Sequence, residues 1–150
     1  MSRADELGRL ERQFGVLIRR VRRVIGERAR AVHPDLQPAS YLMLTFLAAE
    51  GPQRSSMVSE RFNVDKGAIS RQVALLERVG LVVREPDPHD GRAQRLVVTD
   101  EGRKRIEDAR NGRRRLLREQ LERWPADEVA TLARLLGRYN QQMNAALGKE

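Results

Sequence analysis

Residues 58–103 read VSERFNVDKGAISRQVALLERVGLVVREPDPHDGRAQRLVVTDEGR, and the order of apolar, polar and turn-forming residues within them decides the fold. Just upstream, Ser55 or Ser56 is a suitable N-cap for a short helix reaching Phe62. Asn63-Val64 then makes a tight turn, and Asp65 caps a further helix running to about Val79. Gly80 follows where a left-handed residue ends such a helix. Residues 81–85 and 94–98 are rich in β-branched side chains and read as two strands. The stretch 86–92, Pro-Asp-Pro-His-Asp-Gly-Arg, cannot be helical and forms the hairpin loop between them. The expected order is helix, turn, helix, strand, charged loop, strand.

The second of these helices has two faces. Ile69, Val73 and Leu76 recur at helical spacing on a side that must be buried. Lys66, Gly67, Ser70 and Arg71 gather on the outward side, near its N-terminal end. A DNA major groove admits one α-helix, whose N-terminal residues then reach base edges. Arg71 suits a bidentate contact to guanine, and Lys66 and Ser70 suit bases or phosphates. Gly67 and Ala68 are small enough for close approach of the backbone. The competing reading is a solvated helix face, and the surrounding order of elements weighs against it.

Outward from this segment the chain is helical. Leu7, Leu10, Phe14, Leu17, Ile18, Val21, Ile25 and Ala29 step by three and four along residues 5–32. Arg9, Arg12, Arg19, Arg20, Arg22 and Arg23 lie opposite them, and Pro34 and Pro38 end the run. Residues 39–50 form another helix, stopped by Gly51-Pro52. Thr99 caps a long Arg-rich helix that Trp124-Pro125 interrupts. The last helix carries Val129, Leu132, Leu136, Tyr139, Met143 and Leu147 as a stripe. Apolar stripes of that length on a chain this short call for pairing of the terminal helices across a two-fold axis; a monomeric three-helix bundle is the alternative. The fold class is mainly α with a small β-hairpin wing, in a single domain over residues 1–150. A lobe at about 38–99 is flanked by dimerisation helices at about 5–33 and 100–147.

Charge narrows the function classes. Lys and Arg number 29 against 21 Asp and Glu, a formal net charge of +8. That balance suits a polyanionic partner, nucleic acid or an anionic membrane, or an Arg-rich proteome. The absence of cysteine excludes disulfides and thiolate metal sites. No apolar run approaches the roughly 18 residues of a membrane span, and the charged N-terminal stretch lacks a signal-peptide core. His33 and His89 are too few for a structural zinc site. No catalytic constellation can be assembled, so a non-enzymatic, cytoplasmic protein without metal or cofactor is expected. The Arg113-Arg114-Arg115 run wraps around its helix and reads as a solvated face.

The segment resembles the DNA-binding segment of the MarR family. The landmarks are Asp65-Lys66, Leu76-Glu77 followed by Gly80-Leu81, the wing Asp87-x-x-Asp90-x-Arg92, and the junction Leu96-x-x-Thr99-x-x-Gly102. The resemblance implies a winged helix-turn-helix on a helical dimerisation scaffold. It implies that Arg92 enters a minor groove and that Asp90 orients its guanidinium. Arg84 and Arg95 at the wing base are expected on phosphates, as are Arg54 and Ser56 before them. It implies a homodimeric repressor of a pseudo-palindromic operator on double-stranded DNA. A small aromatic or anionic effector would sit near Phe14, Leu17, Ile18, His33, Tyr41 and Met43, each of which also suits ordinary core. An architectural protein that coats DNA without an operator is the alternative. His89 replaces a common wing arginine, Ser55 and Ser59 replace an apolar residue and an alanine, and Gln72 replaces an apolar residue. The serines are expected to loosen the first helix of the motif, and Gln72 to add a polar contact at the groove edge.

Overall fold

The computed structural model describes residues 2–147, the last of them by its backbone alone. The element order is α1 Arg3–Val32, α2 Pro38–Glu50, β1 Gln53–Arg54, α3 Ser55–Phe62, α4 Lys66–Arg78, β2 Val82–Pro86, β3 Gln94–Val98, α5 Asp100–Leu121 and α6 Ala126–Leu147. The mainly helical fold with a hairpin wing is as the sequence predicts.

Local chemistry sets the ends of the helices. α1 starts ahead of Asp5 because Ser2 caps it: the Ser2 hydroxyl accepts the Asp5 N–H and the Asp5 carboxylate accepts the Ser2 N–H. Neither Ser55 nor Ser56 caps α3, contrary to expectation. Arg54 holds that position without a side-chain bond, because its backbone already belongs to a strand. Asp65 does cap α4, its Oδ1 accepting the Ala68 N–H at 2.9 Å. At the other end Gly80 adopts φ 77°, its N–H donates to the Glu77 carbonyl and the Leu81 N–H donates to the Leu76 carbonyl. These two bonds make a Schellman close, with Leu81 and Leu76 both buried beneath it.

Between α3 and α4 the chain turns through Asn63, which is left-handed at φ 49°. Ser59 closes this turn from both directions. Its hydroxyl donates to the Val64 carbonyl at 2.6 Å, and its own carbonyl accepts the Val64 N–H at 3.2 Å. An alanine there would lack the first bond, so Ser59 tightens the motif that it was expected to loosen.

The strands form one antiparallel sheet in the order β1-β3-β2. β2 and β3 pair from Val82 with Val98 to Pro86 with Gln94, the expected hairpin. The third strand is new: Gln53 pairs with Leu96 and Arg54 with Arg95. Two residues behind a proline carry no alternation that could announce a strand. The core gathers Leu44 and Leu47 of α2, Val58 of α3, Ile69, Val73 and Leu76 of α4, and Val82, Leu96 and Val98 of the sheet. Ala29 and Val32 close it from the end of α1, and Ile106 from α5. Each fully buried branched side chain contributes about 1.5–3 kcal/mol.

The hairpin is fastened to α4 and α5 at one junction. The Thr99 hydroxyl donates to the Gly80 carbonyl at 2.7 Å and accepts the Gly102 N–H at 3.0 Å, while the Thr99 N–H donates to the Leu81 carbonyl at 3.1 Å. Gly102 lies so close that a Cβ would stand 2.5 Å from the Leu81 carbonyl oxygen and 2.8 Å from Val98 Cγ1. The L-x-x-T-x-x-G spacing thus has a physical content: core residue, cap, close approach.

Two compact units divide the chain within α5, Met1–Arg110 and Asn111–Glu150. In the first, α1 leaves Leu7, Leu10, Leu17, Ile18 and Val21 exposed. In the second, α6 exposes Leu132, Leu135, Leu136, Tyr139 and Met143. The Leu147 side chain expected to continue that stripe lies outside the described residues. Among the described residues no helix is long and apolar enough to cross a membrane.

Gly102→Ala is expected to lower stability by about 1–3 kcal/mol, because the hairpin backbone must retreat from the new methyl. Gly91→Ala, where a Cβ meets nothing within 4 Å, should stay within about 0.5 kcal/mol of the parent. Urea denaturation midpoints of the two variants check the contrast.

Candidate nucleic-acid interface

α4 presents the four residues singled out in the sequence on one open face. Lys66, Gly67, Ser70 and Arg71 are all exposed, and Ile69, Val73 and Leu76 turn inward beneath them. The Arg71 guanidinium folds back along the helix toward Gly67, with Nη1 3.6 Å from where a Cβ of residue 67 would be. The same position is 3.0 Å from Asp65 Oδ1, so the capping carboxylate shares this end of the helix with Arg71. Gln72 does not join this face. It is half-buried, and its Oε1 accepts the hydroxyl proton of the fully buried Ser40 on α2, so the expected groove-edge contact is replaced by an inward bond.

The wing is shaped by two aspartates. The Asp87 N–H donates to the Ala93 carbonyl at 2.9 Å, which closes the loop. Asp87 Oδ1 accepts the His89 N–H at 2.8 Å, and Asp90 Oδ1 accepts the Arg92 N–H at 3.1 Å. Asp90 thus holds the backbone of Arg92 and not its guanidinium, which corrects the role expected for it. The reason is geometric: an Asx turn uses the short carboxylate on the N–H two residues on. Arg92 is left exposed near the tip of the loop.

The basic residues at the wing base are engaged with carboxylates. Arg54 Nε donates to Asp87 Oδ2 at 2.7 Å, and its Nη2 lies 4.0 Å from Asp90 Oδ2. Arg84 Nε donates to Glu77 Oε1 of α4 at 3.0 Å, joining β2 to that helix. Arg95 stands opposite both Glu85 and Arg54 in the sheet and donates through Nη2 to Glu85 Oε2 at 3.3 Å. Its Nε is buried without a hydrogen-bond partner among the described residues. Ser56 is exposed in the first turn of α3. Asp87 is the residue whose role the sequence did not reveal. Its partner Arg54 is 33 positions away, and no local pattern joins the two.

Hydrogen bonding to Arg54, above all, holds the Asp87 carboxyl well below its ordinary range, at about 2, helped by the His89 N–H. The same bond raises Arg54. The carboxylate is therefore charged throughout the physiological range, and the wing clamp it forms with Arg54 persists there.

The residues suggested for an effector are spread along α1, the turn after it, and α2. Tyr41 and Met43 are buried in the core, and Phe14 is half-buried on α1. Leu17 and Ile18 are exposed on α1. His33 ends α1, half-buried, and its Nδ1 accepts the Asp35 N–H at 3.2 Å. No group of three or more His, Cys, Asp or Glu among the described residues could hold a metal ion.

Comparison with known proteins places this geometry. A sequence model described as MarR family matches residues 35–93. The HTH-type transcriptional regulator YxaD of Bacillus subtilis is 33% identical over 107 residues, covering 71% of this chain and 75% of that protein. The HTH-type transcriptional repressor MdtR of the same organism is 27% identical over 104 residues, 69% of this chain and 67% of that one. The structure of wild-type MarR from E. coli, in its apo form, superposes with a TM-score of 0.70 at 26% identity, over 87% of this chain and 95% of that one.

The clamp makes a signed prediction. Because the Asp87 carboxyl is depressed when folded, its stabilising effect is present in full above about pH 4 and is lost as pH falls through about 2. In Arg54→Ala the Asp87 carboxyl should titrate nearer the ordinary aspartate value. Carbon-detected NMR titration of the side-chain carboxyl reads both values directly, and an unchanged Asp87 in the variant would show that Arg54 is not its partner.

Proposed function

The chain belongs to the MarR family of transcriptional regulators, and from that premise we propose that it is a homodimeric, sequence-specific DNA-binding repressor acting on a pseudo-palindromic operator. The observation that carries this reading is the exposed set Lys66, Gly67, Ser70 and Arg71 at the start of a helix whose opposite side is buried, followed by an exposed Arg92 on a braced loop. In this reading α4 lies in the major groove, where Arg71 reads guanine and Lys66 and Ser70 reach bases or phosphates. Arg92 enters the adjoining minor groove and responds to its width and potential. Ser56 and the basic residues at the wing base approach phosphates. Arg54, Arg84 and Arg95 already neutralise carboxylates, so their part is first to hold the wing and only then to attract the backbone.

The exposed apolar faces of α1 and α6 support the dimer, since stripes of that length stay in water only at a cost. A dimer places its half-sites about one helical turn apart, roughly 10 base pairs. The name of MdtR supports repression over activation. A small aromatic or anionic effector would release the DNA by favouring a spacing of the two lobes that no longer matches successive grooves. The protein would act in the cytoplasm, without metal, cofactor or catalysis.

Selection from a pool of randomised duplexes at about 150 mM salt, followed by sequencing, tests the reading. An inverted repeat with half-sites one turn apart is the expected outcome. Retained DNA without a motif would instead mean a coating protein, and no retention would exclude direct DNA binding. On the recovered site, Arg71→Ala should cost about 1–3 kcal/mol and relax preference at one position of each half-site. Arg92→Ala should weaken binding chiefly where the flank is A/T-rich. With roughly 6–10 phosphate contacts per dimer, affinity should fall about 10³-fold or more between 50 and 200 mM salt. Filter binding across that range checks it, and a flat response would refute the electrostatic part.

A further inference from the structure

α4 rests on α2 and α3 through apolar side chains, Ile69, Val73 and Leu76 being buried beneath it. Apolar contact is non-directional, so it sets how closely the helices approach better than how α4 is rotated about its own axis. A hydrogen bond does depend on direction. The one between Ser40 and Gln72 is placed where rotation is decided. Ser40, in the first turn of α2, is fully buried and is the one buried polar side chain among the described residues. Its hydroxyl donates to Gln72 Oε1. Gln72 directly follows Ser70 and Arg71, so the angle at which it is held is the angle at which they face outward. A rotation of about 20° on a helix of about 5–6 Å radius moves a side-chain tip by about 2 Å. That is enough to take a base contact out of hydrogen-bond range. Stability alone does not ask for this pair, because an apolar residue at 72 facing an alanine at 40 would leave no polar group buried.

We propose that the Ser40–Gln72 hydrogen bond is a positioning device that sets the rotation of α4 on α2, and through it the base preference of Lys66, Ser70 and Arg71. Gln72 acts from behind the reading face and touches no base. The inference rests on the DNA-reading role given to α4 above.

The full chain and its Ser40→Ala, Gln72→Leu, Gln72→Glu and doubly substituted Ser40→Ala/Gln72→Leu variants are compared on the selected operator and on random duplex, with thermal melts alongside. The readout is the ratio of operator to random affinity. The double variant should melt close to the parent, since neither polar group is stranded, yet its ratio should fall about tenfold or more, the scale of one lost base contact. Ser40→Ala, which alters nothing on the reading face, should lose the ratio as well. Gln72→Glu keeps an acceptor for the Ser40 hydroxyl and should keep the ratio even if its charge weakens binding to all DNA. If Ser40→Ala or Gln72→Leu prevents folding, the double variant and Gln72→Glu carry the comparison. A folded double variant whose ratio stays within about twofold of the parent would overturn the proposal. So would a Gln72→Glu variant that loses as much as Gln72→Leu. A parent chain that itself prefers no duplex would overturn the DNA-reading role, and this inference with it.

Discussion

Everything that presents the interface depends on the contact between Thr99 and the Gly80 carbonyl. Gly80 ends α4 and Thr99 begins α5, so one hydroxyl joins the foot of α4 to the chain leaving the hairpin. The adjoining Thr99 N–H to the Leu81 carbonyl brings the end of β3 back beside the start of β2. Gly102 then packs on that carbonyl with no room for a side chain. Together these contacts fix where the wing hairpin leaves α4. The wing tip is therefore at a set distance from Arg71, although no bond runs between them.

The wing itself uses charge in a different way. Asp87, Glu77 and Glu85 hold Arg54, Arg84 and Arg95 in turn. Exposed ion pairs add little stability. Their effect is on order, because an arginine held at one end has fewer orientations to lose when DNA arrives. Arg92 lacks such a partner in its own loop. Asp90 fixes its backbone and leaves the guanidinium directed by whatever it meets.

Legibility in the sequence followed the range of the interaction. The caps at Asp65 and Thr99, the close at Gly80 and the hairpin of residues 82–98 are all local, and each could be read from neighbouring residues. So could the two faces of α4, because helical period separates Ile69, Val73 and Leu76 from Lys66, Ser70 and Arg71. Several of the partners that went unread lie far apart in the chain. Arg54 turned to Asp87, Gln72 to Ser40, and a strand of two residues formed only because β3 was there to receive it. Ser59 misled for another reason: a serine on a short helix looks like a weakness until its hydroxyl is seen to close the turn beyond that helix. The effector residues stay where sequence left them, since apolar side chains on α1 and α2 serve core and pocket equally well.

The central claim is that α4 and the wing, set apart by the Thr99 junction, enter neighbouring grooves of one duplex. The chain has no cysteine, so a DNA-cleaving iron chelate can be tethered at a single position. Ala74→Cys places it on the exposed side of α4, and Gly91→Cys on the wing loop, where a side chain meets nothing. On a duplex bearing the selected operator, the strand offset of the cuts distinguishes one groove from the other. The account predicts a major-groove pattern from position 74 and a minor-groove pattern from position 91, displaced by about half a turn, or roughly 5 base pairs. Cuts from both positions in the same groove, or a wing probe that leaves the DNA uncut, would contradict it.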